Sequence, residues 1–198
     1  FSSRVKLPFY TIDKWHYLGP FPPLPTDVDP LSEDLGSYLA IRNLDQEIKL
    51  PDGKSIAWYA PNDFNNGLGN GGAMNIGKVH GIKERQRTVA LSYLWSSQNR
   101  LATIQFGADW WMKLDINGKE VFRTGTIKGK SGRPYGSGFN FEQKVQLKRG
   151  WNELVATVAS GSNGNGLWMQ VSNPGDAIVQ QSNLPLLYAT YFNLSCVK

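Results

Sequence analysis

The stretch Leu101–Phe122, LATIQFGADWWMKLDINGKEVF, restricts the fold more than any other part of the chain. Two apolar-alternating runs flank a Gly107-Ala108-Asp109 corner, and the second run ends in Asn117-Gly118. Asn-Gly is the strongest short-range signal for a two-residue hairpin, whose central residues both take positive φ. The stretch therefore predicts antiparallel sheet. Successive strand side chains point to opposite faces, which groups Met112, Leu114 and Ile116 on one side and Trp111, Lys113 and Asp115 on the other. The first group reads as core. The second is mostly polar, so parity puts Trp111 on the solvent side, with Trp110 at the strand entrance. An indole near solvent suggests a binding surface. The alternative is a loop or tail lying over it.

The rest of the chain continues this pattern. Thr88–Trp95 places Val89, Leu91, Tyr93 and Trp95 on one parity, and Phe139 to Leu147 alternates Phe, Phe, Gln, Val and Leu against polar residues. Arg149-Gly150 turns the chain into a strand over Trp151–Ala159, and Leu167–Val171 reads as the last strand. Pro51-Asp52-Gly53 joins a further hairpin through Pro's fixed φ and Gly's positive φ. The prolines of Gly19–Pro25 predict an extended edge or polyproline-like strap. Asp29-Pro30, with Leu31, Leu35 and Leu39 as an apolar stripe, predicts one short helix to about residue 40. Pro61–Gly77 and Thr124–Gly138 read as long Gly-rich loops, and Asp176–Lys198 as a tail packed on the outside. About eight short strands without alternating helices predict an all-β, antiparallel jelly-roll β-sandwich. At 198 residues this is one domain, 1–198, with its core over about 15–173.

Composition narrows the function classes. The net charge of +5 makes an acidic polysaccharide a reasonable partner, but Lys and Arg are scattered without a basic block, which argues against nucleic acid. The lone Cys196 rules out an internal disulfide and a thiolate metal site. No apolar run approaches the roughly 20 residues that span a bilayer. The start at Phe1 fits an export signal or larger parent trimmed away, and composition alone leaves the compartment undecided.

Catalytic patterns are weak throughout. His16 and His80 have no triad or metal-ligand spacing around them and read as structural. Gly129-Lys130-Ser131 lacks the earlier glycine of a phosphate loop, because Thr124 stands there. Gly67, Gly69 and Gly72 have dinucleotide-fingerprint spacing, but no helical period follows to face a pyrophosphate. The carboxylates Asp27, Asp29, Glu33 and Asp34 lie where capping explains them. Asn62, Asp63 and Asn65 offer oxygen ligands for a structural calcium.

Aromatic chemistry remains. Sugar C–H faces pack on Trp and Tyr rings, and their hydroxyls bond to Asn, Asp, Arg and Lys. The candidate carbohydrate-binding residues are Trp110 and Trp111, Arg133 and Tyr135 on the second Gly-rich loop, and Asp63, Phe64 and Asn65 on the first. Trp15, Trp58, Trp95 and Trp151 read as core or strand-end packing, and Trp168 is open.

Four motifs carry a resemblance: Trp15-x-x-Leu18-Gly19-Pro20-Phe21, Ala90-x-x-Tyr93, Phe106-Gly107-Ala108-Asp109 through Asn117-Gly118-Lys119-Glu120-Val121, and Val145-x-Leu147-x-x-Gly150-Trp151-Asn152. Over about Trp15 to Asn173 the chain resembles the galactose-binding-like β-sandwich modules attached to bacterial polysaccharide-degrading enzymes and other exported proteins. That resemblance implies a jelly roll, frequently a carbohydrate-binding role, sometimes a structural calcium, an attached catalytic domain and a secreted or cell-surface location. The matching residues Asp109, Asn117-Gly118 and Gly150-Trp151-Asn152 are architectural, so no binding site transfers with it. Trp110-Trp111 departs from the small or polar residues expected after that Asp. A protective-antigen-type lectin domain shares the Asp-to-hairpin pattern, but Trp110 replaces its second aspartate. The expectation is a non-catalytic carbohydrate-binding module, the alternatives a structural platform packing on a catalytic or assembly partner and a hydrolase or lyase with dispersed residues.

Overall fold

The computed structural model describes residues 9–41, 46–59, 68–69, 73–81, 83–127, 130–132, 138–162, 164–172 and 180–181. The first strands are β1 (Phe9–Thr11), β2 (His16–Phe21), β3 (Ile48–Lys49), β4 (Ser55–Tyr59), β5 (Leu68–Gly69), β6 (Ala73–Asn75), β7 (Arg87–Ser96) and β8 (Arg100–Ile116). The chain continues with β9 (Lys119–Arg123), β10 (Gly125–Ile127), β11 (Lys130–Gly132), β12 (Phe141–Leu147), β13 (Gly150–Ser160), β14 (Gly166–Ser172) and β15 (Gln180–Gln181). Two single-turn helices, α1 (Gly36–Leu39) and α2 (Gly77–His80), complete the described residues. The fold is all-β, and the pairings are antiparallel. No helix among the described residues is long and apolar enough to cross a membrane.

β8 organises the molecule, as its sequence suggests, but it does so without breaking. The expected Gly107-Ala108-Asp109 corner lies inside one continuous strand. Its first half pairs with β12 and β14, from Leu147↔Arg100 to Phe141↔Phe106 and from Val171↔Ile104 to Gly166↔Asp109. Its second half pairs with β13 and β9, from Ser160↔Trp110 to Leu154↔Ile116 and at Arg123↔Lys113. One strand thus belongs to two layers. The residues on its apolar parity, Ile104 and Phe106 in the first half and Met112, Leu114 and Ile116 in the second, enter one buried cluster with Leu147, Leu154, Val158 and Met169. Each such side chain stabilises by about 1.5–3 kcal/mol relative to exposure. The turn after β8 has Asn117 at φ 52° and Gly118 at φ 76°, as the Asn-Gly signal requires.

Within the second layer, β2 and β7 are buried on both faces over most of their length. Leu18, Val89, Leu91, Tyr93 and Val155 form a separate cluster with Trp58, Ile48 and Leu35, against which Tyr38, Leu39 and Ile41 pack. β7 is consequently covered along nearly its whole length, with Trp95 its exposed residue.

Several expectations are corrected. The proline segment does not stay at an edge: Pro20 lies inside β2, between β4 and β7. The β7 register shifts between Leu18 and Phe21, so no ladder bond is asked of Pro20. The helix over 29–40 shrinks to the four residues of α1. Leu31 and Leu35 are both buried but in different clusters, which one helical stripe cannot serve. The Gly-rich loops contain short paired strands, β5 with β6 and β10 with β11. Of the tail, Gln180–Gln181 pairs with β7 and the remainder lies outside the described residues.

Candidate ligand-binding site

The parity expectation for β8 holds: Lys113 and Asp115 lie half-buried on the outer face of the second layer, beside Thr157 and Val155 of β13. Trp111 shares that face, but its expected exposure is corrected, for it is only 6% exposed. The segment following β2 lies over it. Arg85 holds its guanidinium 5.5 Å above the Trp111 ring and donates to the Pro25 carbonyl at 2.9 Å and to that of Val28. Leu31 closes the same cluster from the side. Next door, Arg87 donates to the Pro22 carbonyl at 2.7 Å and pairs with Glu33. The covering segment is therefore bolted down by two arginines. The Trp111 indole N–H has no partner among the described residues. Trp110 is half-buried, its ring 6.0 Å from that of Trp111, and Gly161 leaves it room. Asp63, Phe64, Asn65, Arg133 and Tyr135 lie outside the described residues, as does the proposed calcium ligand Asn62.

The open aromatic surface is at the other end of the same face. Trp151 of β13 is the cross-strand neighbour of Trp95 of β7, and their rings meet edge-on with centroids 5.3 Å apart. Strand-end packing is correct for this pair, and Trp15 and Trp58 are core as expected. What the sequence reading missed is that Trp95 stays 37% exposed. Both rings adjoin polar turns, Ser97-Gln98-Asn99 and Lys148-Arg149-Gly150, and that was the available signal. One register step inward, Tyr93 faces Glu153 and donates its hydroxyl to Oε2 at 3.2 Å.

Three turns meet around the pair, and side chains lock them together. Asn99 Oδ1 accepts from the Arg149 backbone N–H at 2.7 Å, joining the first two. Fully buried Asn152 accepts from the Lys148 N–H and donates to the Lys148 and Gly150 carbonyls, at 2.9–3.1 Å. Its Oδ1 also accepts from the Asn117 amide at 2.9 Å, which brings in the β8–β9 hairpin. Asn117 in turn bonds the backbone of Glu153 through both its own N–H and its Oδ1. Gly150 has φ 95°, which favours glycine. A platform built this way is pre-organised, so a ligand would order little chain on binding.

Charge is distributed unevenly over the face. In its middle, Lys113 pairs with Asp115 at 3.1 Å, and Arg123 meets Glu120 at 2.8 Å and Asp29 at 3.6 Å. The hydrogen bond from Arg123 holds the Glu120 carboxyl below its usual range. These charges largely satisfy one another. At the Trp95–Trp151 end, Lys148 and Arg149 are exposed and neither has a carboxylate partner among the described residues.

His16 and His80 are buried, and burial lowers both to about 4, so they are neutral near pH 7. His80 Nδ1 bonds Thr88 Oγ1 at 2.9 Å, in keeping with a structural role. Asp29 and Asp34 accept from the N–H groups of Leu31 and Gly36, as their turn positions suggest. The described residues contain no group of three or more His, Cys, Asp or Glu side chains arranged for a metal ion. The chain matches no protein-family model and no curated protein sequence.

Proposed function

We propose that the chain is a non-catalytic carbohydrate-binding module of jelly-roll sandwich type that holds a polysaccharide against the Trp95–Trp151 pair. The observation that carries this reading is an exposed indole, packed edge-on against a second and locked between polar turns, with Tyr93 and Glu153 beside it. Sugar rings stack on such surfaces while amide, hydroxyl and carboxylate groups take their hydroxyls. A single shallow site binds at roughly micromolar to millimolar Kd. The resemblance to modules of exported bacterial enzymes extends the proposal to a secreted or cell-surface protein carrying a catalytic neighbour. Titration calorimetry against a panel of neutral, amino and acidic oligosaccharides tests it. Binding by the wild-type chain that weakens at least about tenfold in Trp95→Ala and in Trp151→Ala is expected. A panel with no binder at millimolar concentration removes the reading.

The exposed Phe9, Tyr10 and Leu101 of the other layer favour a second reading, a platform that packs against a partner. Self-association on concentration, lost in Leu101→Lys and unaccompanied by glycan binding, would favour it.

A further inference from the structure

We infer that the polysaccharide is anionic, a uronate polymer whose carboxylate is taken by Arg149 while its sugar ring lies on Trp95. This rests on the carbohydrate-binding reading and names its ligand class. The whole-chain charge of +5 does not locate a partner; the arrangement of the charges does. The Lys113–Asp115 and Arg123–Glu120 pairs neutralise the middle of the outer face. Its Trp-bearing end is bordered by Lys148 and Arg149, exposed and without a carboxylate partner among the described residues. Both belong to the Lys148–Gly150 turn, which Asn152 ties to the Asn117–Gly118 turn. The Arg149 backbone, one residue before Gly150 and two before Trp151, is fixed by Asn99, which anchors the base of the side chain at this end of the face. A guanidinium matches a planar carboxylate with two parallel hydrogen bonds, which a lysine cannot do. Glu153, one register step inward, disfavours a second anionic group there and suits the ring hydroxyls of the same sugar. Charge complementarity at the tip and stacking on the indole thus select the same ligand.

The test uses the full chain with oligogalacturonate, a neutral oligosaccharide of matched length, a sulfated oligosaccharide and polyglutamate. Oligogalacturonate is expected to bind at least about tenfold more tightly than the neutral and sulfated sugars, the step that one charge-assisted hydrogen-bond pair provides. Polyglutamate, which has the charge without the ring, is expected to bind no better than the neutral sugar. Arg149→Gln, which keeps the backbone bond to Asn99, should remove the tenfold preference for oligogalacturonate over the neutral sugar. A neutral or sulfated sugar preferred over oligogalacturonate, or Arg149→Gln without effect, overturns the inference and leaves the carbohydrate reading standing. Equal binding of polyglutamate overturns it as charge attraction alone. Absence of binding to every sugar sinks both.

Discussion

Replacing Asn152 by alanine should be among the most damaging single changes in this chain. Asn152 is fully buried and makes four side-chain hydrogen bonds at 2.9–3.1 Å, to the Lys148 N–H, the Lys148 and Gly150 carbonyls and the Asn117 amide. A fifth, to the Leu94 carbonyl, is long at 3.4 Å and is set aside. At about 1 kcal/mol net for each of the four bonds, and more for partners left buried without water, the loss is about 4 kcal/mol. Asn152→Asp should not rescue it. The carboxylate still accepts from Lys148 and Asn117, but it meets the Lys148 and Gly150 carbonyls with no proton to give. Urea denaturation measures both variants, with the midpoint shift read at unchanged slope. Sugar binding should also weaken in folded Asn152→Ala, since the turns beside Trp151 lose their common anchor. A stability loss below about 1 kcal/mol, or an aspartate as stable as wild type, would refute the account of this junction.

Three further outcomes are expected. Burial lowers His16 and His80 from 6.5 to about 4, so the native state keeps them neutral and the unfolded state binds their protons first. Their stabilisation is complete above the unfolded value and drains away as pH falls from 6.5 toward 4, by up to about 3 kcal/mol for each histidine. Urea midpoints across that range should show it, and His80→Gln should flatten the slope. Arg85→Ala removes the donor to the Pro25 carbonyl and the cation above Trp111, and should cost about 2–3 kcal/mol. It should also raise acrylamide quenching of Trp111 in a background where the other tryptophans are silenced; unchanged quenching would mean that something else covers the ring. A Cβ on Gly164 would fall 1.5 Å from Asp109 Oδ2, so Gly164→Ala should destabilise by about 1–3 kcal/mol. In an Asp109→Ala background most of that penalty should vanish, and a penalty that persists would place the clash elsewhere.

What was legible in the sequence follows from which residues sit at a two-sided boundary. Met112, Leu114 and Ile116 opposite Lys113 and Asp115 could be assigned because one face meets the core and the other meets polar neighbours. Asn117-Gly118 and Gly53 announced their turns through positive φ, a local property. Trp111 was assigned to the correct face, yet its cover comes from Leu31 and Arg85, far away in sequence and invisible to a local period. β7 posed the opposite difficulty. With both faces buried, its composition is apolar throughout, and nothing in the alternation separates exposed Trp95 from buried Tyr93 or Leu91. Leu31, Leu35 and Leu39 have helical spacing but serve separate packing clusters, so the spacing misled. The open aromatic pair thus shares a sheet face with Trp111 and lies at the other end of it.

The central claim is that sugar is recognised at the Trp95–Trp151 end of that face. Fluorine NMR of the 5-fluorotryptophan-labelled chain, assigned by single Trp→Phe variants and titrated with oligogalacturonate, addresses it most directly. The Trp95 and Trp151 resonances should move together along one binding curve while that of buried Trp111 stays in place. Shifts confined to Trp110 and Trp111, with Trp95 and Trp151 unmoved at saturation, would contradict it.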